Sequence, residues 1–358
     1  MKILRLRWKD FRNLTAGEVE PAEGINVVFG KNAQGKTNLL EAVWLFTGDR
    51  SFRGAKDADL VRRDRSGAVL ALAFESGGRE QNAKIRIEGG RRSAELNGIP
   101  KESCSALTGR FCAVVFSPEH LALVRGGPSQ RRSFVDSALC QIRPGYASLR
   151  SGYARVLFQR NALLKDIPRH AELLDTMEIW DARLCEYGGR IVRQRTAYLN
   201  ALEGPAAGFY SGISGNRETL SLSYRKSAEH LERALRDGRA EDIRNGYTGA
   251  GPHRDDVEIG IDGLSARSFA SQGQKRSAVL ALKLAEAELL TRANGETPVV
   301  LLDDVLSELD SARREYLLNR LTKFQVFLTC CEPDAARPLE RGALFRMEDG
   351  SLTQRKQI

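Results

Sequence analysis

The amino-acid sequence predicts an α/β fold: a mixed sheet around a phosphate-binding loop, an antiparallel side sheet and an inserted, mainly helical second lobe. Three observations predict it. Gly30-Lys31-Asn32-Ala33-Gln34-Gly35-Lys36-Thr37 completes a G-x-x-x-x-G-K-[ST] pattern, with the apolar run Ile25–Phe29 before it and Leu39, Leu40, Val43 and Trp44 at helical spacing after it. Val299-Val300-Leu301-Leu302 is a second continuous apolar run, ending in Asp303-Asp304, and reads as a buried strand. Between these two blocks, from Ser117 to Gly249, the texture becomes helical.

The first block calls for a triphosphate. Gly30 and Gly35 let the backbone curl so that successive N–H groups point inward, at the positive end of the following helix. Lys36 supplies a mobile ammonium for the β- and γ-phosphates, and the Thr37 hydroxyl suits a Mg²⁺ shell. Residues Gly30 to Thr37 are therefore expected to bind ATP or GTP. Ahead of them, Ile3, Leu4 and Leu6 lead into Phe11-Arg12-Asn13-Leu14. The segments Val69–Phe74 and Lys84–Ile87, with Gly77-Gly78 and Gly89-Gly90 turns, give the antiparallel side sheet.

Phe111–Phe116 is a short buried strand closed by Ser117-Pro118-Glu119. The clearest helix starts near Ala171: Leu173, Met177, Trp180, Leu184, Tyr187, Ile191 and Tyr198 share one face, with a bend expected at Gly188-Gly189. Gly204-Pro205-Ala206-Ala207-Gly208 and Ser211–Gly215 read as loops inside this second lobe. The expected division is 1–116 with 250–358 as the first lobe and 117–249 as the inserted helical lobe.

From Gly249 the pattern returns to β, with Val257, Ile259 and Ile261 alternating before Asp262-Gly263. Ser271-Gln272-Gly273-Gln274 then opens a helix and offers a third anion site: a hydroxyl, a glycine for close approach and a positive helix end. On the tetrapeptide alone, a plain helix cap is an equal reading. At the end of the Val299 strand, Asp303 is placed to hold Mg²⁺, and Asp304 to orient or deprotonate the attacking water; with Lys36, Asp304 is the expected catalytic pair.

Composition bounds the partners. In 358 residues, 55 Lys+Arg stand against 46 Asp+Glu, a formal net charge of +9 that favours a polyanion, nucleic acid before membrane. The six cysteines show no C-x-x-C and no zinc-finger spacing, as expected of reduced cytosolic thiols. No apolar run reaches the ~20 residues that span a bilayer, and the N-terminus alternates apolar and basic residues like a strand. The expectation is a cytoplasmic protein with no membrane partner.

Taken together, these blocks resemble the ABC-type ATPase heads of the SMC and recombination-repair class, and within it the RecF family of bacterial recombination mediators. The residues that say so are Phe11–Leu14, Gly30–Thr37, Phe116-Ser117-Pro118-Glu119-His120-Leu121 and Arg131-Arg132-Ser133-Phe134-Val135-Asp136. Gly251-Pro252-His253-Arg254-Asp255-Asp256, Ser271–Arg276 and Leu301–Asp310 complete the collinear series.

The resemblance implies an ATP-dependent homodimer that binds duplex DNA near single-strand gaps or junctions and acts with RecR and RecO to load RecA. It also implies slow, DNA-stimulated ATP hydrolysis used as a switch. Carried over, Lys36 and Thr37 bind phosphate and Mg²⁺, Asp303 is the Mg²⁺ aspartate, and Ser271, Gln272, Gly273 and Gln274 contact the partner's ATP. Ser307 to Asp310 line the dimer seam, Arg12 and Asn13 contact nucleotide, and Thr329 is the proposed γ-phosphate sensor. Two positions depart from the family pattern. Glu119-His120 stands where Glu-Asp is common, and Cys330-Cys331 follows Thr329 where other ABC proteins carry a histidine. The competing reading is the ATPase subunit of a transporter or of another dimeric protein-remodelling complex.

Overall fold

A computed structural model of the chain describes residues 1–332 and 342–357. The chain opens with an antiparallel hairpin of β1 (Lys2–Phe11) and β2 (Leu14–Val19), then enters β3 (Ile25–Phe29), the phosphate loop and α1 (Lys36–Trp44). Strands β4 (Gly67–Ser76), β5 (Arg79–Glu88), β6 (Arg91–Leu96) and β7 (Ile99–Lys101) follow as a meander. The first two turns use paired glycines at positive φ, Gly77 at 58° with Gly78 at 70° and Gly89 at 56° with Gly90 at 71°, and the third uses Asn97 at 51° with Gly98 at 79°, the backbone that two-residue hairpins require. Alternation sends Ala68, Leu70, Leu72 and Phe74 of β4 inward, and Ile3, Leu6, Trp8 and Phe11 of β1 join the same core because β1 shifts register between Ile3 and Arg5 and takes a positive φ at Asp10.

After β8 (Ala113–Phe116) come the helices α2 (Ala122–Arg125), α3 (Pro128–Ile142), α4 (Gly145–Asp166) and α5 (Met177–Ser214). Strand β9 (Leu220–Arg225) and the short helices α6 (Leu231–Asp237) and α7 (Arg239–Asn245) close this stretch. Two expectations are corrected in α5. The helix runs unbroken through Gly188-Gly189, and Gly204–Gly208 and Ser211–Ser214 are helical, with Pro205 inside the helix and Gly215 at φ 68° ending it. An internal proline costs a helix about 3 kcal/mol, but Leu202, Ala206 and Tyr210 are buried at four-residue steps, while Gly204 and Gly208 face solvent. Tertiary burial overrides local propensity there.

The chain then forms β10 (Asp256–Ile261), β11 (Leu264–Ser265), α8 (Ala266–Phe269) and the long α9 (Gln272–Asn294). It finishes with β12 (Val299–Asp303), α10 (Ser311–Arg320), β13 (Val326–Cys330), β14 (Gly342–Glu348) and β15 (Ser351–Gln357). The central sheet has the order β15-β14-β3-β13-β12-β8; β15 is antiparallel to β14 and the other neighbours are parallel. The side sheet is antiparallel, β2-β1-β4-β5-β6-β7, and a small third sheet is β11-β10-β9.

This topology explains why the central strands are apolar on both faces. Val115, Val299, Leu301 and Phe327 join the core shared with the side sheet and α1, whereas Val114, Val300, Leu302 and Leu328 meet Leu280 and Leu284 of α9 and Leu317 of α10. A third core joins α3, α4, α5 and α9 to β9 and β10. The β9–β10 pairing, from Leu220↔Ile261 to Arg225↔Asp256, therefore ties residues before 249 to residues after 250. The alternation of Leu220, Leu222 and Tyr224 was the unread signal for β9.

All six cysteines are free thiols. Among the described residues, no helix is long and apolar enough to cross a membrane.

Candidate nucleotide site and dimer face

Because β3 and β12 flank β13 as parallel neighbours, the phosphate loop after β3 and the turn after β12 emerge at the same end of the sheet. Gly30 (φ 155°), Ala33 (φ 67°) and Gly35 (φ 116°) curl the phosphate loop. A Cβ on Gly30 would collide with the Met347 carbonyl oxygen, so only glycine fits. The Lys36 ammonium donates to the carbonyls of Gly30 (2.6 Å) and Lys31 (2.9 Å) and spans the loop. Thr37 Oγ1 donates to Asp303 Oδ1 at 2.8 Å, which unites residues far apart in the sequence, as their chemistry required.

Asp303 is buried, and burial raises its carboxyl above the ordinary aspartate range, opposed by hydrogen bonds from Thr37 and Thr329 and reinforced by Glu119. Thr329 Oγ1 donates to Asp303 Oδ1 (2.9 Å) and accepts the Asp304 N–H (3.0 Å). With its hydroxyl so committed in a buried position, Thr329 braces both aspartates, a role that nothing in the neighbouring sequence announces. Asp304 sits at φ 50° at the start of the turn after β12, and its carbonyl accepts from Ser307 Oγ at 2.8 Å.

A hard cation fits this corner: two oxygen donors meet, one a carboxylate that forms no salt bridge among the described residues, and Mg²⁺ completes its shell with phosphate oxygens and water. Among the described residues there is no cluster of three His, Cys, Asp or Glu side chains able to hold a metal without the substrate.

Arg12 and Asn13 lie beside the loop in different roles. The Arg12 guanidinium forms a bidentate pair with the buried Glu41 (2.9 and 3.0 Å) and also donates to the Asp59 carbonyl. Asn13 Nδ2 donates to the Ala33 carbonyl (3.1 Å), and its Oδ1 accepts from Asn38 (2.7 Å). Glu119 is exposed, while His120 Nδ1 accepts the Ser117 N–H (3.0 Å) and closes the turn after β8.

Ser271–Gln274 lies elsewhere. Ser271 caps α9: its Oγ accepts from Gln274 N–H, and Gln274 Oε1 accepts from Ser271 N–H, so the capping interpretation holds. Gln274 Nε2 also reaches Glu218 Oε1 (2.9 Å), whose other oxygen accepts from Tyr210 of α5 (2.6 Å). Arg276 pairs with Glu308 (3.3 Å), Arg313 borders Gly273, and Asp310 caps α10. Ser271–Gln274 and Ser307–Asp310 therefore share one surface, with Ser271, Gln272, Ser307 and Asp310 exposed. Among the described residues, no hydrogen bond links Ser271–Gln274 to Gly30–Thr37.

The remaining family blocks lock onto one another. Arg131 forms a bidentate pair with Asp256 (2.7 and 2.9 Å), and Arg132 donates to the Asp255 carbonyl (2.6 Å). Arg195 of α5 grips Asp136 through two bonds of 2.9 Å and the Pro252 carbonyl at 2.6 Å. His253 is held between Tyr153 (2.7 Å) and the Thr248 carbonyl (3.1 Å), and burial lowers its pKa. These residues fasten β10 to α3, α4 and α5.

A family model described as the RecF/RecN/SMC N terminal domain matches residues 2–351. The SMC head of Pyrococcus furiosus, 17% identical with a TM-score of 0.58 over 99% of this chain and 95% of its own, shares the fold. Fold and site together define an ABC-type P-loop ATPase head.

A solved structure of the recombination mediator protein RecF with ATP in the RecFOR pathway is 36% identical, with a TM-score of 0.93 over 99% of this chain and 97% of its own. The DNA replication and repair protein RecF of Agathobacter rectalis is 39% identical, covering 92% of both chains, and that of Acetivibrio thermocellus is 38% identical, covering 93% and 94%. The chain belongs to the RecF family, the recombination-mediator ATPases of DNA replication and repair. A transporter ATPase subunit is not favoured by these relatives.

Proposed function

We propose that ATP closes two copies of this chain face to face, with Gly30–Thr37 of one copy opposite Ser271–Gln274 of the other. The observation that carries this is the split between the two halves. Lys36, Thr37 and Asp303 come together around the phosphate loop, Ser271–Gln274 makes no hydrogen bond to that loop among the described residues, and a second copy supplies what the first lacks. In this reading 1–116 with 250–358 acts as the ATPase lobe and 117–249 as the helical lobe.

Thr37 and Asp303 would hold Mg²⁺, which when bound neutralises charge on the β- and γ-phosphates. Lys36 exchanges its loop carbonyls for phosphate oxygens, Ser271 and Gly273 present the α9 N-terminus to the partner's γ-phosphate, and Asp304 orients the attacking water. Asp304 is one methylene shorter than glutamate, which suits a slow timer. Hydrolysis removes the bridging γ-phosphate and shifts the pair toward the open state.

The closed pair binds duplex DNA near single-strand gaps through lysine and arginine contacts to the backbone, which are blind to sequence and weakened by salt. The net charge of +9 and the family support this, as they support DNA-stimulated hydrolysis, action in the cytoplasm and work with RecR and RecO to load RecA. The test is filter binding of gapped duplex, plain duplex and single strands across a salt series, with and without ATP. ATP-dependent, salt-sensitive retention of gapped duplex is expected; retention unchanged by ATP would overturn the reading.

A further inference from the structure

We infer that the hairpin turn Asp349-Gly350, together with Asn13, is an outer brace that aims backbone N–H groups of the phosphate loop at the nucleotide. The inference rests on the reading that Gly30–Thr37 holds ATP.

Strand β14 runs parallel to β3, from Gly342↔Ile25 to Arg346↔Phe29, so the turn that ends β14 emerges at the same sheet edge as the phosphate loop. Both turn residues have positive φ, 47° at Asp349 and 76° at Gly350, as a two-residue Asp-Gly hairpin turn requires. Their N–H groups point at one loop residue. Gly350 N–H donates to the Gln34 carbonyl (3.0 Å), and Asp349 N–H donates to Gln34 Oε1 (2.5 Å).

The neighbouring carbonyl, of Ala33, is held by Asn13 Nδ2 at 3.1 Å. Asn13 is itself oriented by a relay, since Arg53 donates to Asn38 Oδ1 (3.0 Å) and Asn38 Nδ2 donates to Asn13 Oδ1 (2.7 Å). Gly350 and Asn13 also touch: a Cβ on Gly350 would collide with the Asn13 carbonyl oxygen.

The consequence follows from peptide geometry. In a planar trans peptide the C=O and the next N–H point in opposite directions. Pinning the Ala33 carbonyl outward turns the Gln34 N–H inward, and pinning the Gln34 carbonyl outward turns the Gly35 N–H inward. Inward-facing N–H groups are what a phosphate needs from this loop, and fixing them beforehand spares the ordering cost at binding. Asn13 and Gly350 are thus positioning residues that touch the loop and act through it.

The test is titration of a fluorescent ATP analogue, together with KM and kcat for ATP hydrolysis, on wild type, Asn13→Ala, Gly350→Ala and Asp349→Asn. Asn13 is exposed, so its truncation leaves the core intact even where Gly350→Ala harms folding. Asn13→Ala and Gly350→Ala should each weaken nucleotide binding and raise KM about ten-fold, the scale of one lost hydrogen bond, with kcat at saturating ATP unchanged. Asp349→Asn keeps both N–H groups and tolerates positive φ, so it should behave as wild type. Asn13→Ala binding within about two-fold of wild type, well below that scale, would overturn the brace. Failure of wild type itself to bind nucleotide would instead overturn the reading beneath it.

Discussion

Replacing Thr329 with valine removes a hydroxyl and keeps its branched shape in a buried strand. Two bonds are lost: the one donated to Asp303 Oδ1 at 2.9 Å and the one accepted from Asp304 N–H at 3.0 Å. A buried N–H left without a partner costs about 1–3 kcal/mol, and a hydrogen bond to a charged group contributes about 1.5–3 kcal/mol. Residual water access to half-buried Asp304 recovers part of this, so the expected loss of stability is about 3 kcal/mol, read by urea unfolding.

A second effect is separable from the first. Burial already raises the Asp303 pKa, and the Thr329 bond is one of two that oppose it. Without that bond the carboxyl rises further. Since cation binding needs the carboxylate, Mg²⁺-dependent nucleotide binding should weaken as pH falls, and at a higher pH in Thr329→Val than in wild type. Thr329→Ser, which retains the hydroxyl, should restore both properties. The assay is titration of a fluorescent nucleotide against Mg²⁺ between pH 5 and 8. Coincident pH profiles and an unchanged unfolding midpoint in Thr329→Val would refute the reasoning.

Glu218→Ala should leave nucleotide affinity of the single chain unchanged but weaken ATP-dependent self-association about ten-fold by sedimentation, because Gln274 and Tyr210 lose their common acceptor. Burial lowers the His253 pKa from 6.5, which favours the neutral ring in the fold relative to the unfolded chain. The unfolded chain therefore takes up the extra proton, and stability is full above about pH 6.5 and declines as pH falls below it. Stability should therefore be lower at pH 5.5 than at pH 7.5, and His253→Gln should flatten that slope in urea unfolding at the two pH values.

What was legible in the sequence were features carried by short, contiguous chemistry. The phosphate loop declared itself through spacing, the Val299–Asp304 strand through apolar continuity ending in carboxylates, and the side sheet through alternation with paired glycines. Harder to read were contacts made by residues distant in sequence. Nothing near Thr329 announces that it serves Asp303 and Asp304, and nothing near Gln34 announces the Asp349-Gly350 turn. Arg12 illustrates the same limit, since nothing near it in the sequence announces its partner Glu41 on α1. The Gly204–Gly208 segment failed for the opposite reason: its local signals were strong, and burial against a distant helix outweighed them.

The most direct test of the central claim is the mass of the Asp304→Asn protein by light scattering, with ATP alone and with ATP and a gapped duplex. This variant removes the base expected to activate water and should hold the closed state. The account predicts a single chain without nucleotide, two chains with ATP, and two chains bound to one duplex when DNA is added, alongside ATP turnover well below wild type. A single chain in the presence of ATP, or turnover equal to wild type, would contradict it.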